Sequence, residues 1–257
     1  MNFLKRLCFR SIFVIGDACV KLLLCRKASI KVWSGPFAGM SWGTHAVGSE
    51  LTPKLLGTYE KELAPIIAAL PFFDLAIDIG AAEGWYAVGL LHRKIARKVV
   101  AFELAERGQT GCRDNARRNA VAGQLAVRGK CDVADLQHLL ASPPRADFRI
   151  LIISDCEGFE SELFCGGVLE LCHMAHLIIE THELLAPGAH ERLARELAAS
   201  HEVTQVRPVS RSAADAVFPG RPTPWWLRIS IIRRFSLLER RGTGNLWLYA
   251  APRVERE

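Results

Sequence analysis

The stretch that most constrains this chain runs from Leu75 to Tyr86, Leu-Ala-Ile-Asp-Ile-Gly-Ala-Ala-Glu-Gly-Trp-Tyr. Apolar residues lead to a carboxylate at Asp78, glycines follow at Gly80 and Gly84, and an apolar run resumes at Tyr86. The pattern predicts a strand, a tight turn and a helix. A residue without Cβ lets the backbone turn sharply and approach a ligand closely, and N–H groups at the start of the next helix then face that ligand. Such a corner suits a nucleotide. The dinucleotide fingerprint Gly-x-Gly-x-x-Gly is not met, because Ala82 and Trp85 occupy its second and third glycine positions, and no Lys-Ser or Lys-Thr pair completes a P-loop.

The remaining pattern alternates strands with helices. Lys98 to Glu103 reads as a second strand and Glu106 to Ala122 as a helix whose Arg113, Arg117 and Arg118 form a solvated face. Gln124 to Arg128 is a third strand, Val133 to Leu140 a helix, and Phe148 to Ser154 a continuously apolar strand buried on both faces. Leu177 to Glu183 is a fifth strand, Ala189 to Ser200 a helix, Glu202 to Val206 a sixth strand and Asn245 to Ala250 the last. Ahead of the corner, Ser29 to Trp42 predicts a β-hairpin turning at Gly35-Pro36. Pro53 to Leu70 predicts one helix running into the corner, so that Tyr59 or Glu60 reaches the ligand or simply packs.

Acidic residues stand at the ends of these strands. Glu103 follows Asp78 by 25 residues, near the spacing at which an acid ending the second strand accepts hydrogen bonds from ribose hydroxyls. Asp132 is suited either to accept from an adenine amino group or to cap the helix after it. Asp155-Cys-Glu-Gly-Phe-Glu160 ends the central strand, and Glu180-Thr-His182-Glu183 ends the next. Three carboxylates in one loop repel each other, and a cationic ligand relieves that repulsion.

Composition adds bounds. Half of the 257 residues are apolar, enough for a sizeable core, and the formal net charge of +6 is compatible with an acidic substrate, a membrane surface or nucleic acid. The eight cysteines form no Cys-x-x-Cys pair, and a reducing cytoplasm is the simplest expectation. Cys172, His173 and His176 lack a second ligand pair at zinc-like spacing. Asn2 to Lys27 has an amphipathic helical pattern, interrupted by charge too often for a transmembrane span. It reads as a helix packed on the domain or as a basic helix lying on an anionic membrane.

Taken together, Ile77-Asp-Ile-Gly-Ala-Ala-Glu-Gly84 resembles the cofactor motif of class I S-adenosylmethionine-dependent methyltransferases. Ile152-Ile-Ser-Asp-Cys-Glu-Gly-Phe-Glu-Ser-Glu-Leu163 resembles the Asp-x-Glu-Gly-x-Glu signature of the FkbM-type members, and Ile179 to His182 resembles their next strand end. The similarity covers about residues 53 to 206, and Ser154 and Cys156 depart from it. It implies an α/β, Rossmann-like class I methyltransferase fold, with a seven-stranded mostly parallel sheet, helices on both faces and a reversed last strand. It also implies S-adenosylmethionine as cofactor and transfer to a hydroxyl of a sugar, glycan or small natural product. Carried over by position, Asp78, Gly80, Ala81 and Gly84 hold the amino-acid part of the cofactor, Glu103 and Leu104 the ribose side, Asp132 the adenine, and Asp155 adjoins both cofactor and acceptor. Residues 1 to 52 form an extension, 53 to 257 the methyltransferase domain, and about 208 to 244 a substrate-side insertion that includes Trp225 and Trp226.

In-line methyl transfer depends chiefly on positioning, and a hydroxyl acceptor also benefits from a base. Glu157 or His182, helped by Asp155, is suited to take the proton, against a purely strand-capping role. The expected site contains no metal, and a divalent ion held by Asp155 and its neighbours is the lesser reading. The rivals are an RNA methyltransferase, kept alive by the basic run from Arg228 to Arg241, a nicotinamide-dependent oxidoreductase, and a non-catalytic binding protein of the same fold. No Asn-Pro-Pro-Tyr, Asp-Pro-Pro-Tyr or Pro-Cys motif supports nucleic acid as substrate.

Overall fold

A computed structural model describes residues 30–44, 46–141, 147–211, 215, 228–229, 239 and 245–253. The helix expected over Asn2 to Lys27, the Ser142-Pro-Pro loop, Trp225 and Trp226, and most of the run from Arg228 to Arg241 lie outside these residues. The chain divides into two compact units, residues 1–64 with 209–240, and residues 65–208 with 241–257. No helix among the described residues is long and apolar enough to cross a membrane.

In the first unit, β1 (Ile30–Lys31) and β2 (Ser41–Trp42) pair antiparallel around the predicted turn. Next comes α1 (Leu51–Leu56). The single helix expected from Pro53 to Leu70 is not formed. Gly57, at φ +81°, ends α1 in a left-handed cap whose N–H donates to the Pro53 and Lys54 carbonyls. Glu60 is also left-handed, a 3-10 turn at Lys61–Leu63 follows, and a second helix α2 (Ala64–Ala69) carries the chain into the second unit. Gly57 serves a close approach as well as a cap, since a Cβ there would run into the Ser34 carbonyl and one on Gly35 into that of Gly57. Further along the unit, the buried Arg211 guanidinium joins Glu62 at 3.0 Å and Glu239 at 2.6 Å.

The second unit is built on seven strands, β3 (Phe73–Ile79), β4 (Ala96–Phe102), β5 (Leu125–Arg128), β6 (Ile150–Ser154), β7 (His176–His182), β8 (His201–Val206) and β9 (Asn245–Pro252). Their order is β5-β4-β3-β6-β7-β9-β8. The first five run parallel, while β9 is antiparallel to both β7 and β8. This is a Rossmann-like sheet with the reversed last strand that the sequence resemblance implies. The five residues of β6 are all buried, as a central strand requires.

Alternation along the strands sorts side chains to two faces. Ile77 and Ile79, Val100 and Phe102, Ile152, Ile179 and Leu248 join one core with Leu136 of α5 (Val133–Leu140), Leu163 of α6 (Glu160–Leu163), Val168 of α7 (Gly167–Leu171) and Leu193 of α8 (Ala189–Leu197). Asp78 has the opposite parity and accepts from α3 (Trp85–His92). The helix expected from Glu106 to Ala122 stops earlier, as α4 (Glu106–Arg118). Asn119 donates its side-chain amide to the Asn115 carbonyl, and Ala120 turns left-handed at φ +57°. The short helices α6 and α7 were not foreseen.

The strand order reverses direction between β3 and β6. In open α/β sheets, ligands bind outside the carboxyl ends of the strands at such a switch point. The Gly80 and Asp155 loops meet there.

Candidate functional site

The carboxyl edge of the sheet carries two groups of acidic residues. On the β3–β4 side the backbone engages each acid. Asp78 is only 2% exposed, and its Oδ2 accepts from the Ala87 N–H at 2.8 Å, which caps the first turn of α3. Glu103 spans two loops, with Oε2 accepting from Ala82 N at 2.7 Å and Oε1 from Ala105 N at 2.7 Å. Gly108 is needed behind it, where any Cβ would strike the Glu103 side chain. Leu104, next along, is 77% exposed.

Gly80 and Gly84 satisfy different needs in the turn. At Gly80, φ is +80° and a Cβ would collide with the Asp155 carbonyl, so only glycine lets β3 and β6 end against each other. At Gly84, φ is +87° and a Cβ would press on Cys112 Sγ. The N–H groups of Gly80 and Ala81 both donate to the Phe102 carbonyl, so Ala81 ties the turn to β4. Asn115 of α4, on the flank of the helix beside the arginine face, is buried and donates to the Glu83 carbonyl at 3.0 Å. Asp132 is the N-cap of α5 and completes a reciprocal capping box with Asp135.

On the β6–β7 side the acids converge on one imidazole. His182 is 3% exposed, and its Nε2 lies 3.4 Å from Asp155 Oδ1, 3.6 Å from Glu157 Oε2 and 3.9 Å from Glu180 Oε2. Its Nδ1 lies 3.4 Å from Glu160 Oε1. The three residues expected at the reacting centre, Asp155, Glu157 and His182, are thus brought together. Burial alone lowers the pKa of His182, but Glu160 and the charges of Asp155 and Glu157 outweigh it, and the net shift is upward.

Glu160, which the sequence places only as the third carboxylate of its loop, stands behind the imidazole. It is fully buried, and its oxygens accept from the His182 N–H at 2.7 Å and the Gly158 N–H at 2.9 Å. Burying an ionised carboxylate costs several kcal/mol. Two charge-assisted bonds, at roughly 1.5–3 kcal/mol each, together with the imidazole offset that cost. Burial would raise its pKa, yet His182 and these hydrogen bonds hold it below the ordinary value. Its visible signal was the third acid of Asp155-x-Glu-x-x-Glu160. Glu157, between the two, has φ +53° and a side chain 79% exposed. Burial pushes the Cys156 thiol up to about 12, so it stays neutral beside the cluster.

Two other expectations resolve simply. Cys172 is buried in the core, His173 meets the Glu170 carbonyl, and the His176 ring packs edge-on to Phe73 with its pKa pushed down to about 4 by burial. Arg113 donates to the Val127 carbonyl as well as facing solvent.

No protein-family model and no curated protein matches the chain. Solved structures similar to it include a protein in the NADB-Rossmann superfamily from Streptococcus agalactiae, at 12% identity over 75% of this chain and 68% of that one, with a TM-score of 0.45. The O-methyltransferase from Bacillus cereus in complex with SAH is similar at 15% identity over 69% of this chain and 73% of that one, with a TM-score of 0.44. The tRNA methyltransferase TrmK from B. subtilis is similar at 12% identity over 76% and 67%, with a TM-score of 0.42.

Proposed function

We propose that the protein is an S-adenosylmethionine-dependent methyltransferase acting on a hydroxyl of a sugar, glycan or small natural product. The observation that carries this reading is the pairing of the glycine turn with Glu103 at the reversal of strand order. The carboxylate is held by backbone N–H groups in a fixed position, and each of its oxygens keeps acceptor capacity for a ribose hydroxyl. Leu104 offers an apolar surface for the base beside it, with Asp132 at the far edge.

In this reading the sulfonium end of the cofactor lies toward Asp155, whose backbone abuts Gly80. The positive sulfur is stabilised by the carboxylates around His182. The acceptor hydroxyl enters from the open side marked by Glu157, loses its proton to the Asp155–Glu157–His182 cluster and attacks the methyl in line. Leu184 and Leu185, 71% and 62% exposed just after β7, supply an apolar rim for the acceptor's carbon skeleton.

Calorimetric titration of the full chain with S-adenosylmethionine and S-adenosylhomocysteine tests the reading. One site per chain with micromolar affinity is expected. A folded protein that binds neither would overturn it and favour a non-catalytic role.

A further inference from the structure

We infer that Asp155, Glu157 and His182 form a binding site for a divalent transition-metal ion of the Mn2+ type, with Glu160 fixing the histidine ligand from behind. One oxygen or nitrogen from each of the three lies within 4.8 Å of the others. Convergent acids alone would be ordinary at a sheet edge. The independent observation is His182, whose ring is buried and whose Nε2, aimed into the cluster, has no hydrogen-bond partner among the described residues. Leaving one buried polar group unsatisfied costs about 1–3 kcal/mol, so an Nε2 that faces carboxylates without hydrogen-bonding to any is poorly explained as a structural element.

Spacing distinguishes an ion site from a charged imidazolium. Charge-assisted hydrogen bonds between a ring N–H and a carboxylate close to about 2.7–2.9 Å. An ion with bonds of about 2.1 Å instead holds neighbouring donors about 3 Å apart and opposite donors about 4.2 Å apart. Nε2 stands 3.4 Å from Asp155 Oδ1 and 3.6 Å from Glu157 Oε2, inside that range.

The far side of the ring fits the same role. Metal-bound histidines commonly present their other ring nitrogen to a carboxylate, which sets the tautomer and orientation of the ligand. Glu160 Oε1 faces Nδ1 at 3.4 Å and is itself anchored by two backbone N–H groups. One imidazole with two carboxylates is a mixed nitrogen and oxygen set, suited to Mn2+ and its neighbours rather than to ions that favour thiolate. Glu157, the exposed ligand, leaves the coordination sphere open on the solvent side. The chemical use of the ion rests on the methyltransferase reading, in which an acceptor oxygen bound to it would ionise at lower pH than a free hydroxyl and release its proton to solvent on the open side, in place of uptake by the three ligand side chains. The site itself does not depend on that reading.

The test uses the full chain, treated with chelator and exchanged into metal-free buffer, then titrated with Mn2+ alone while electron paramagnetic resonance reads the free ion. One Mn2+ per chain is expected, in the micromolar range, with nitrogen coupling from an imidazole in the bound spectrum. Glu157→Gln, a change on an exposed side chain, weakens binding at least tenfold, and Glu160→Gln weakens it about tenfold. Asp114→Asn, an exposed acid on α4, leaves it unchanged. A wild type with no site tighter than millimolar, a bound spectrum without nitrogen coupling, or equal affinity in Glu157→Gln and wild type would each overturn the inference. Since no S-adenosylmethionine is present, failure here is distinct from failure of the cofactor titration.

Discussion

The β3–β4 end of the sheet and the β6–β7 end carry the same residue types and use them in opposite ways. At the first end, Asp78, Glu103 and Asp132 each accept from backbone N–H groups, so the chain uses its acids to order its own turns and helix starts. At the second, Asp155, Glu157 and Glu180 each direct an oxygen to within 3.4–3.9 Å of one buried imidazole nitrogen. The first arrangement is fixed by the backbone, with lone pairs of Glu103 left over. The second concentrates negative charge around a single cation-sized position. The contrast teaches that an acid at a strand end has no fixed meaning, and that what its oxygens face decides whether the backbone fixes it or its charge is left facing a buried imidazole.

The largest effect is expected where the two ends touch. Gly80→Val would drive a side chain into the Asp155 carbonyl at a left-handed position, and a loss of about 3 kcal/mol or more in chemical denaturation is predicted. Gly123→Ala, where no atom of the described residues lies within 4 Å of the added Cβ, should change stability by less than about 0.5 kcal/mol. If the two variants unfolded at similar denaturant concentrations, the close contact between β3 and β6 would not be a structural requirement.

A smaller effect sharpens the comparison within the second end. Glu160→Ala leaves the buried His182 N–H and the half-buried Gly158 N–H without acceptors and should cost about 2–4 kcal/mol, with Glu160→Gln costing less because its amide oxygen still accepts. The loss should depend on pH when measured in chelator. The pKa of His182 is raised, so its share of the stability is present below its ordinary 6.5 and lost as pH rises through the folded value. That of Glu160 is lowered, so its share is present above its ordinary 4.5 and lost as pH falls through the folded value. The gap between wild type and Glu160→Gln should therefore be widest between pH 4.5 and 6.5. A gap that is flat from pH 4 to pH 9 would mean that the pair is not electrostatically coupled.

Most of the sheet was legible because its strands are short apolar runs bounded by glycine, acid or proline. β3, β6 and β7 fall where those runs lie, and the reversed β9 follows from the resemblance. The helix over residues 53 to 70 was misread because Gly57, which looks tolerable inside a helical period, takes the left-handed conformation that ends one. Asp155, Glu157 and His182 could be named as a group because each lies at or just past the end of β6 or β7. The part played by Glu160 was not visible, since facing inward from the first residue of a four-residue helix is a matter of tertiary register. For Asp132, the alternatives weighed from sequence were a helix cap and an adenine contact. The capping box accounts for one of its oxygens, Oδ1.

The division of labour between the two ends is tested most directly by titrating S-adenosylhomocysteine into Glu103→Ala and Glu157→Gln side by side. The account predicts that Glu103→Ala loses affinity at least tenfold while Glu157→Gln stays within threefold of wild type. Loss in Glu157→Gln with Glu103→Ala unaffected would contradict it, because the nucleotide would then belong to the histidine end of the sheet and not to the glycine turn.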